Sequence, residues 1–381
     1  MLTGPGLAWT RLMKTQSPYP SPTIPPFCPN PKCRFHALQS DPWPLSRFGI
    51  YTRQRPPHTV QRYRCNECGR TFSDQTFKST YWLKHPEHLL QIQKHAVSGA
   101  SNRQIARIIG CAPSTVDNQL ARLGRHSILF HRHMMKKASP FVDVVVDGLV
   151  TFEYSQYFPY ELVAAADRES SFVIHFAEAE RRRSGTMTPY QKMKRQFLES
   201  VHLRADPQSV MKAMVEVLSV SLAGAIKAQV WSDKHKTYPF AIRRIRFCEI
   251  EHHTIDSRRK RTTRNPLFEI NCLDMLIRHC LKDHTRETIA FGKRRQHSVY
   301  RMAIFLVWRN YIKMRREKRC RMTPAMLVGL TNRPLREEDI LSRRLFVKQI
   351  ELPQLWADYY WRRIRTRALP VNRGHELAYA A

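Results

Sequence analysis

The sequence predicts a multidomain α+β chain: a small cysteine-bearing module, then a helical module, then a larger α/β domain. Three observations predict it. Two cysteine pairs fall within residues 28–68, a helical-hairpin pattern occupies 98–126, and Val-rich runs ending in aspartate alternate with helical text beyond residue 139. The chain has 381 residues, 42% of them hydrophobic, enough for one large core or two to three smaller ones.

Charge sets the partner class. Lys and Arg number 64 against 31 Asp and Glu, a formal net charge of +33 spread along the whole length. A solvated surface does not call for that excess, so a polyanion, nucleic acid before membrane, is the expected partner. No apolar run approaches the ~20 residues needed to span a bilayer. The stretch "MLTGPGLAWTRLMKTQSPYP" lacks the continuous apolar segment of a secretory signal. In a reducing compartment, nine cysteines point to metal or packing rather than disulfides.

The elements follow in order. Residues 1–26 carry six prolines and no periodicity, and read as a flexible leader. Within 27–80, "CPNPKCRFH" supplies Cys28 and Cys33, and "RYRCNECGRTF" supplies Cys65 and Cys68. Pairs of the form C-x4-C and C-x2-C some thirty residues apart give two hairpin tips, each donating two thiolates to one tetrahedral Zn²⁺. This is the spacing of a zinc ribbon. His36 is a possible substitute ligand, but the four-thiol set is complete without it. All four positions are filled by protein, so the zinc is structural.

Residues 86–130 read as helices. In "SGASNRQIARIIGCAPSTVDNQLARLGRH", Ile105, Ala106 and Ile109 form the inner face of one helix and Gly110-Cys111 a tight turn. Val116, Leu120 and Leu123 recur at 3–4 spacing on the next. The pattern is that of a helix-turn-helix whose second helix enters the major groove, with Ser114, Thr115, Asn118, Gln119 and Arg122 facing DNA.

Residues 139–177 alternate strand-like runs, "FVDVVVDGLVTFEYS" and "ELVAAADRESSFVIHF". Residues 178–225 read as a basic, helical insertion that contacts DNA. "AQVWSD" is a short strand closed by Asp233, as "FVDVVVDG" is closed by Asp147. A carboxylate at a strand terminus is rigidly aimed and suits a divalent metal, and two Mg²⁺ ions so held can promote phosphoryl transfer. The third ligand is expected on a helix opened by Asn265 as N-cap and Pro266 at its first position. Leu267, Ile270, Leu273 and Ile277 are its buried face, and Asn271, Asp274 and Arg278 a separate polar stripe. Asp274 is the chosen third ligand, with Glu269 and Glu287 in reserve. The run 293–321 holds eleven Lys or Arg against Glu317 alone, which predicts a helix with a basic outer face along DNA. Residues 316–381 read as a basic, helical C-terminal extension.

Taken together, the chain resembles a bacterial insertion-sequence transposase of the DDE superfamily over roughly residues 27–315. The residues that carry the resemblance are "RYRCNECGRTFSDQT", "SNRQIARIIGCAPSTV", "VVVDGLVTFEYSQY", "VWSDKHKTYP" and "NPLFEINCLDMLIRH", followed by "HTRETIAFGKRRQ". The resemblance implies a ribonuclease-H-like catalytic domain over 139–315. It also implies a second acid at Asp233 in an "SDxHxxY"-like strand end, with His235 and Tyr238 in place. The third acid of such enzymes lies after an Asn and before an Arg, which fits Asn271, Asp274 and Arg278, although Glu is the usual residue there. Implied with it are Mg²⁺ or Mn²⁺, double-stranded DNA as partner, a homo-oligomer on DNA and a cytoplasmic, nucleoid-associated setting. The rival is a non-catalytic DNA-binding regulator or an inactive remnant, which needs no converging carboxylates.

Overall fold

A computed structural model of the protein describes residues 24–364 apart from 38–42, 55, 286 and 319. Most of the expected leader and the last part of the C-terminal extension, 365–381, lie outside the described residues. The chain is mixed α+β with two sheets.

Helix α1 (Arg34–Ala37) precedes an antiparallel sheet of β1 (Leu45–Thr52), β2 (Thr59–Cys65) and β3 (Thr71–Ser73). This module has its own small core, in which Trp43, Tyr63 and Phe72 pack beside Cys28, Cys33 and Cys65. Three helices follow: α2 (Glu87–Ala96), α3 (Asn102–Ile109) and α4 (Pro113–Met135). Ile105, Ala106, Val116, Leu120 and Leu123 are buried, as their spacing predicts, and Ile109 packs against them. Gly110 ends α3 at φ 73°, the left-handed region that glycine enters without a Cβ clash. Pro113 then opens α4, where the missing N–H costs nothing.

The second sheet comprises β4 (Asp143–Phe152), β5 (Pro159–Asp167), β6 (Val173–Glu180), β7 (Lys227–Asp233) and β8 (Glu249–Ile255). Its order is β6-β5-β4-β7-β8, the first three strands antiparallel and β4-β7-β8 parallel. Strand β8, "EIEHHTI", escapes sequence reading because charged and polar residues occupy an edge with no buried residue. Between β6 and β7 lie α5 (Pro189–His202) and α6 (Ser209–Ser221); after β7 comes α7 (Tyr238–Ile242). The expected insertion over 178–225 is therefore narrower. Glu178 and Glu180 belong to β6, and α6 buries Ala213, Met214, Val217 and Leu218 against the sheet. Only α5 projects, with no residue buried and Tyr190, Met193, Phe197 and Val201 facing solvent.

Helix α8 (Phe268–Cys280) buries Ile270, Leu273 and Ile277, with Leu267 beneath its start. It begins later than expected. Asn265 accepts the Leu267 N–H at 2.9 Å in a turn one step upstream, so Pro266 precedes the helix. Helix α9 (Arg295–Val307), which runs into a wide turn at Trp308–Ile312, overturns the expected basic outer face. It is buried on every side, and Arg295, Arg301 and Arg309 lie inside the protein. Aliphatic neighbours at every phase of the helix pull it into the core, and its arginines are met there by carboxylates and carbonyls. Among the described residues beyond it, the chain is not mainly helical. It is a strap carrying α10 (Pro324–Leu327), α11 (Glu337–Ile340), a single tight turn at Val347–Gln349 and α12 (Gln354–Tyr360).

One core runs without a break from Leu89 to Ile364, so the helical module and the sheet are packed as one. At Gly124 of α4, a Cβ would meet the Tyr300 Cβ of α9 at 2.4 Å, which is why the two helices can approach so closely. The strap completes the assembly. His126 donates to the Ile340 carbonyl at 2.8 Å, Trp356 to Phe176 at 2.8 Å, and Gln349 to His36 beside the cysteines at 2.6 Å.

Candidate functional site

The four cysteines do come together. Their sulfurs all lie within 4.8 Å of one another, Cys28–Cys68 at 3.6 Å and Cys33–Cys65 at 3.9 Å. A tetrahedral ion with Zn–S of about 2.3 Å sets sulfur–sulfur edges of about 3.8 Å, so this group can hold zinc. Burial raises the Cys28 thiol. At Cys68 burial also raises the thiol, but hydrogen bonds with Asn30 and the Arg70 backbone outweigh it and bring the group down to about 7. His36 is not a fifth ligand. Its Nδ1 meets the Cys28 carbonyl at 2.8 Å, and its ring packs edge-on against Phe27 and Phe346.

Along α4, Ser114 and Asn118 are exposed and Thr115 is half-buried. Gln119 is not on that face: it is buried and donates to the His85 carbonyl at 3.5 Å. Arg122 is half-buried and donates to the Ser79 carbonyl at 2.9 Å. The strap covers this half of the helix, which helical spacing alone does not reveal. The exposed part is the first turn of α4 together with Arg103, Arg107 and Ile108 of α3.

The aspartates come from three separate elements. Asp147 lies within β4 rather than at its end, because pairing with β5 continues to Phe152. It does stand where the ladder to β7 stops: Val145 pairs with Trp231, so two residues on Asp147 runs beside Asp233. Asp147 accepts the Gly148 N–H at 2.7 Å and Asp233 the His235 N–H at 3.0 Å. Asp274 approaches from α8, which Arg278 ties to β4 by donating to the Val150 carbonyl at 3.3 Å.

Asp147 interacts through space with each of the other two. Burial pushes the Asp147 carboxyl up to about 6; Asp233 and Glu161 push the same way, against the Gly148 N–H and Arg261. Burial pushes Asp274 up to about 8, with Asp147 adding to it against Arg278 and Arg261. Their oxygens are not all within 4.8 Å of one another, as the cysteine sulfurs are. A pair of ions about 3.5–4 Å apart requires ligands spread around both. Carboxylate oxygens are the hard donors that Mg²⁺ or Mn²⁺ takes.

Neither reserve joins this group. Glu269 is paired with Arg315 at 3.1 Å and bonded to Ser171. Glu287 sits in an exposed turn.

Two residues enter that sequence reasoning missed. Glu161, buried on β5, lies across Gly148 so closely that a Cβ there would meet its Oε1 at 1.7 Å, and Arg181 grips it at 2.5 Å. A lone acid opening the apolar run "ELVAAA" was the available signal. Arg261, from the loop after β8, acts on both Asp147 and Asp274. His235 and Tyr238 serve the geometry: their rings lie 4.8 Å apart, and Tyr238 is buried beneath the acids. The cleft beside Asp233 is lined by Arg181, Arg182, Arg204, Lys234 and Lys236.

No protein-family model and no curated protein matches the chain. Among solved structures, it is similar to a chain of the simian T-cell lymphotropic virus intasome in complex with PP2A regulatory subunit B56 gamma. The two are 12% identical, with 65% of this chain and 76% of that chain covered at a TM-score of 0.26. A superposition of that quality defines neither the fold nor the function of this protein. Among the described residues, no helix is long and apolar enough to cross a membrane.

Proposed function

We propose that this chain is a DDE-type DNA transposase that binds the ends of an insertion element and performs metal-dependent cleavage and strand transfer. In this reading residues 27–80 are a zinc ribbon, 86–130 a helix-turn-helix, and 139–315 a ribonuclease-H-like catalytic domain. Its sheet order, three antiparallel strands followed by two parallel ones, supports the last assignment. The observation that carries the proposal is that Asp147 stands beside Asp233 across β4 and β7 and feels its charge, and in turn acts on Asp274 from α8, three acids far apart in sequence. A non-catalytic regulator has no need of it.

Asp147, Asp233 and Asp274 would hold the Mg²⁺ or Mn²⁺. A divalent cation bound there supplies charge that activates an attacking oxygen and stabilises the leaving one. The chain's own residues do the rest. Gly148 N–H and His235 N–H fix the two strand-borne carboxylates, and Arg278 fixes the helix that brings the third. The Arg and Lys side chains lining the cleft guide the DNA backbone toward them. End recognition would fall to Ser114, Thr115 and Asn118 at the open start of α4.

The test is cleavage of an end-containing duplex by Asp147→Asn, Asp233→Asn and Asp274→Asn. Each should fall by orders of magnitude while end binding persists, since several kcal/mol of metal-supported stabilisation is lost at about tenfold per 1.36 kcal/mol. Full activity in Asp147→Asn would end the proposal. Loss of activity in Glu287→Gln with Asp274→Asn unaffected would move the third ligand.

A further inference from the structure

Between α4 and the strap lies a cavity of about 400 Å³. Four arginines line it, Arg122, Arg125, Arg344 and Arg362, and among the described residues no Asp or Glu does. Elsewhere the buried arginines have acids for company: Arg295 has Glu153, Glu178 and Glu180, and Arg309 has Glu269. In this pocket Arg125 and Arg344 act on Arg122 as like charges.

The four are not equally occupied. Arg122 donates to the Ser79 carbonyl, and Arg344 lies over the rings of Tyr81 and Phe346. Arg125 Nη1 and Arg362 Nε are buried, and neither makes a hydrogen bond among the described residues. Buried guanidinium N–H groups without acceptors cost free energy, and so does crowding like charges away from water. Evolutionarily neutral packing would fill such a place with apolar or paired groups. Planar guanidinium forks match phosphate oxygens and give strong charge-assisted hydrogen bonds.

We propose that this pocket binds a phosphate group, received by Arg125 and Arg362 with Arg122 and Arg344 supplying charge. The phosphate belongs either to a DNA backbone running along the flank of α4 or to a free phosphorylated molecule. Asn118, exposed on α4, lies at its rim, which puts the pocket one helical turn from the face offered to DNA. The proposal stands whether or not the aspartates catalyse anything.

The test uses the full chain, with inorganic pyrophosphate and a random-sequence duplex as probes. Arg125→Met removes a guanidinium without cutting a hydrogen bond of Nη1 within the chain. Pyrophosphate should raise the Tm of the unaltered protein by several degrees beyond NaCl of equal ionic strength. Arg125→Met should unfold at the same or a higher temperature without the anion and lose the response to it. In a salt titration, duplex binding by the variant should lose about one unit of slope per phosphate contact removed. A Tm response with unchanged slope assigns a free phosphorylated ligand. A shallower slope, with or without the Tm response, assigns the DNA backbone. If neither changes in Arg125→Met or in Arg362→Met, the pocket is not a phosphate site. Cleavage by the Asp→Asn series plays no part in the outcome, so failure here and failure of the transposase reading are separable.

Discussion

Glu153, Glu178 and Glu180 surround Arg295, whereas Asp147, Asp233 and Asp274 gather with no Lys or Arg nitrogen within 4.0 Å among the described residues. The three glutamates and two of the three aspartates come from in or just beyond strands of the same sheet, and Asp274 comes from α8. Arg295 reaches Glu178 at 3.0 Å and Glu180 at 3.3 Å, and its backbone N–H reaches Glu153 at 2.9 Å. Burial lowers the Arg295 pKa, but the three glutamates outweigh it and hold the group above its usual range. In the aspartate cluster Arg261 and Arg278 act only from a distance, and burial together with carboxylate repulsion raises Asp147 and Asp274. Strand-end acids are thus not informative by themselves. What separates a structural cluster from a candidate metal site is whether the chain supplies the counter-charge in contact.

The largest test of that contrast is stability. Arg295→Met removes the cation shared by Glu153, Glu178 and Glu180 and should cost about 3–5 kcal/mol, read by chemical denaturation. Asp274→Asn, which relieves repulsion, should cost nothing or stabilise. Equal losses in the two variants would erase the distinction.

The next test is pH dependence at Asp147. Its folded pKa, about 6, lies above the ordinary value of 3.8. The folded state therefore holds this proton while the unfolded state has lost it. The associated stability is complete below pH 3.8 and is lost as pH rises through about 6. Relative to Asp147→Asn, the unaltered protein should lose roughly 3 kcal/mol across that window, at 1.36 kcal/mol per unit. Comparing the two proteins removes the opposite slope of buried histidines such as His126, which burial holds down at about 4. Added Mn²⁺ should shrink the difference at pH 7. A difference that ignores both pH and Mn²⁺ would argue against a cation site.

The smallest effect is expected at Glu269, an acid that does have partners, in Arg315 and Ser171. Glu269→Gln should cost about 1 kcal/mol and leave cleavage nearly unchanged. A large loss of cleavage with the fold intact would return Glu269 to the list of candidate ligands.

Much of this was legible in the sequence where the cause is local. Cysteine spacing foretold the cluster of four thiols, and 3–4 periodicity foretold which faces of α3, α4 and α8 are buried. Asp233 could be read as the end of a strand because an apolar run stops there. Asp147 could not: β5, whose partner residues lie seven to fifteen positions away, carries β4 past it.

What tertiary structure alone decided is which surface gets covered. Helical spacing gives Asn118, Gln119 and Arg122 similar polar prospects, yet residues 341–362 cover Arg122 while Gln119 turns inward to His85. Arg295 looked like part of a DNA-facing stripe until Glu153, just after β4, and Glu178 and Glu180 of β6 closed around it. Glu161 gained its place over Gly148 only when two strands paired. Periodicity reports the phase of a side chain on its own element, set by backbone geometry over a few residues. Whether that phase meets water, carboxylate or guanidinium depends on chain returning from over a hundred positions away, as the strap does to α4, and no local pattern encodes that return.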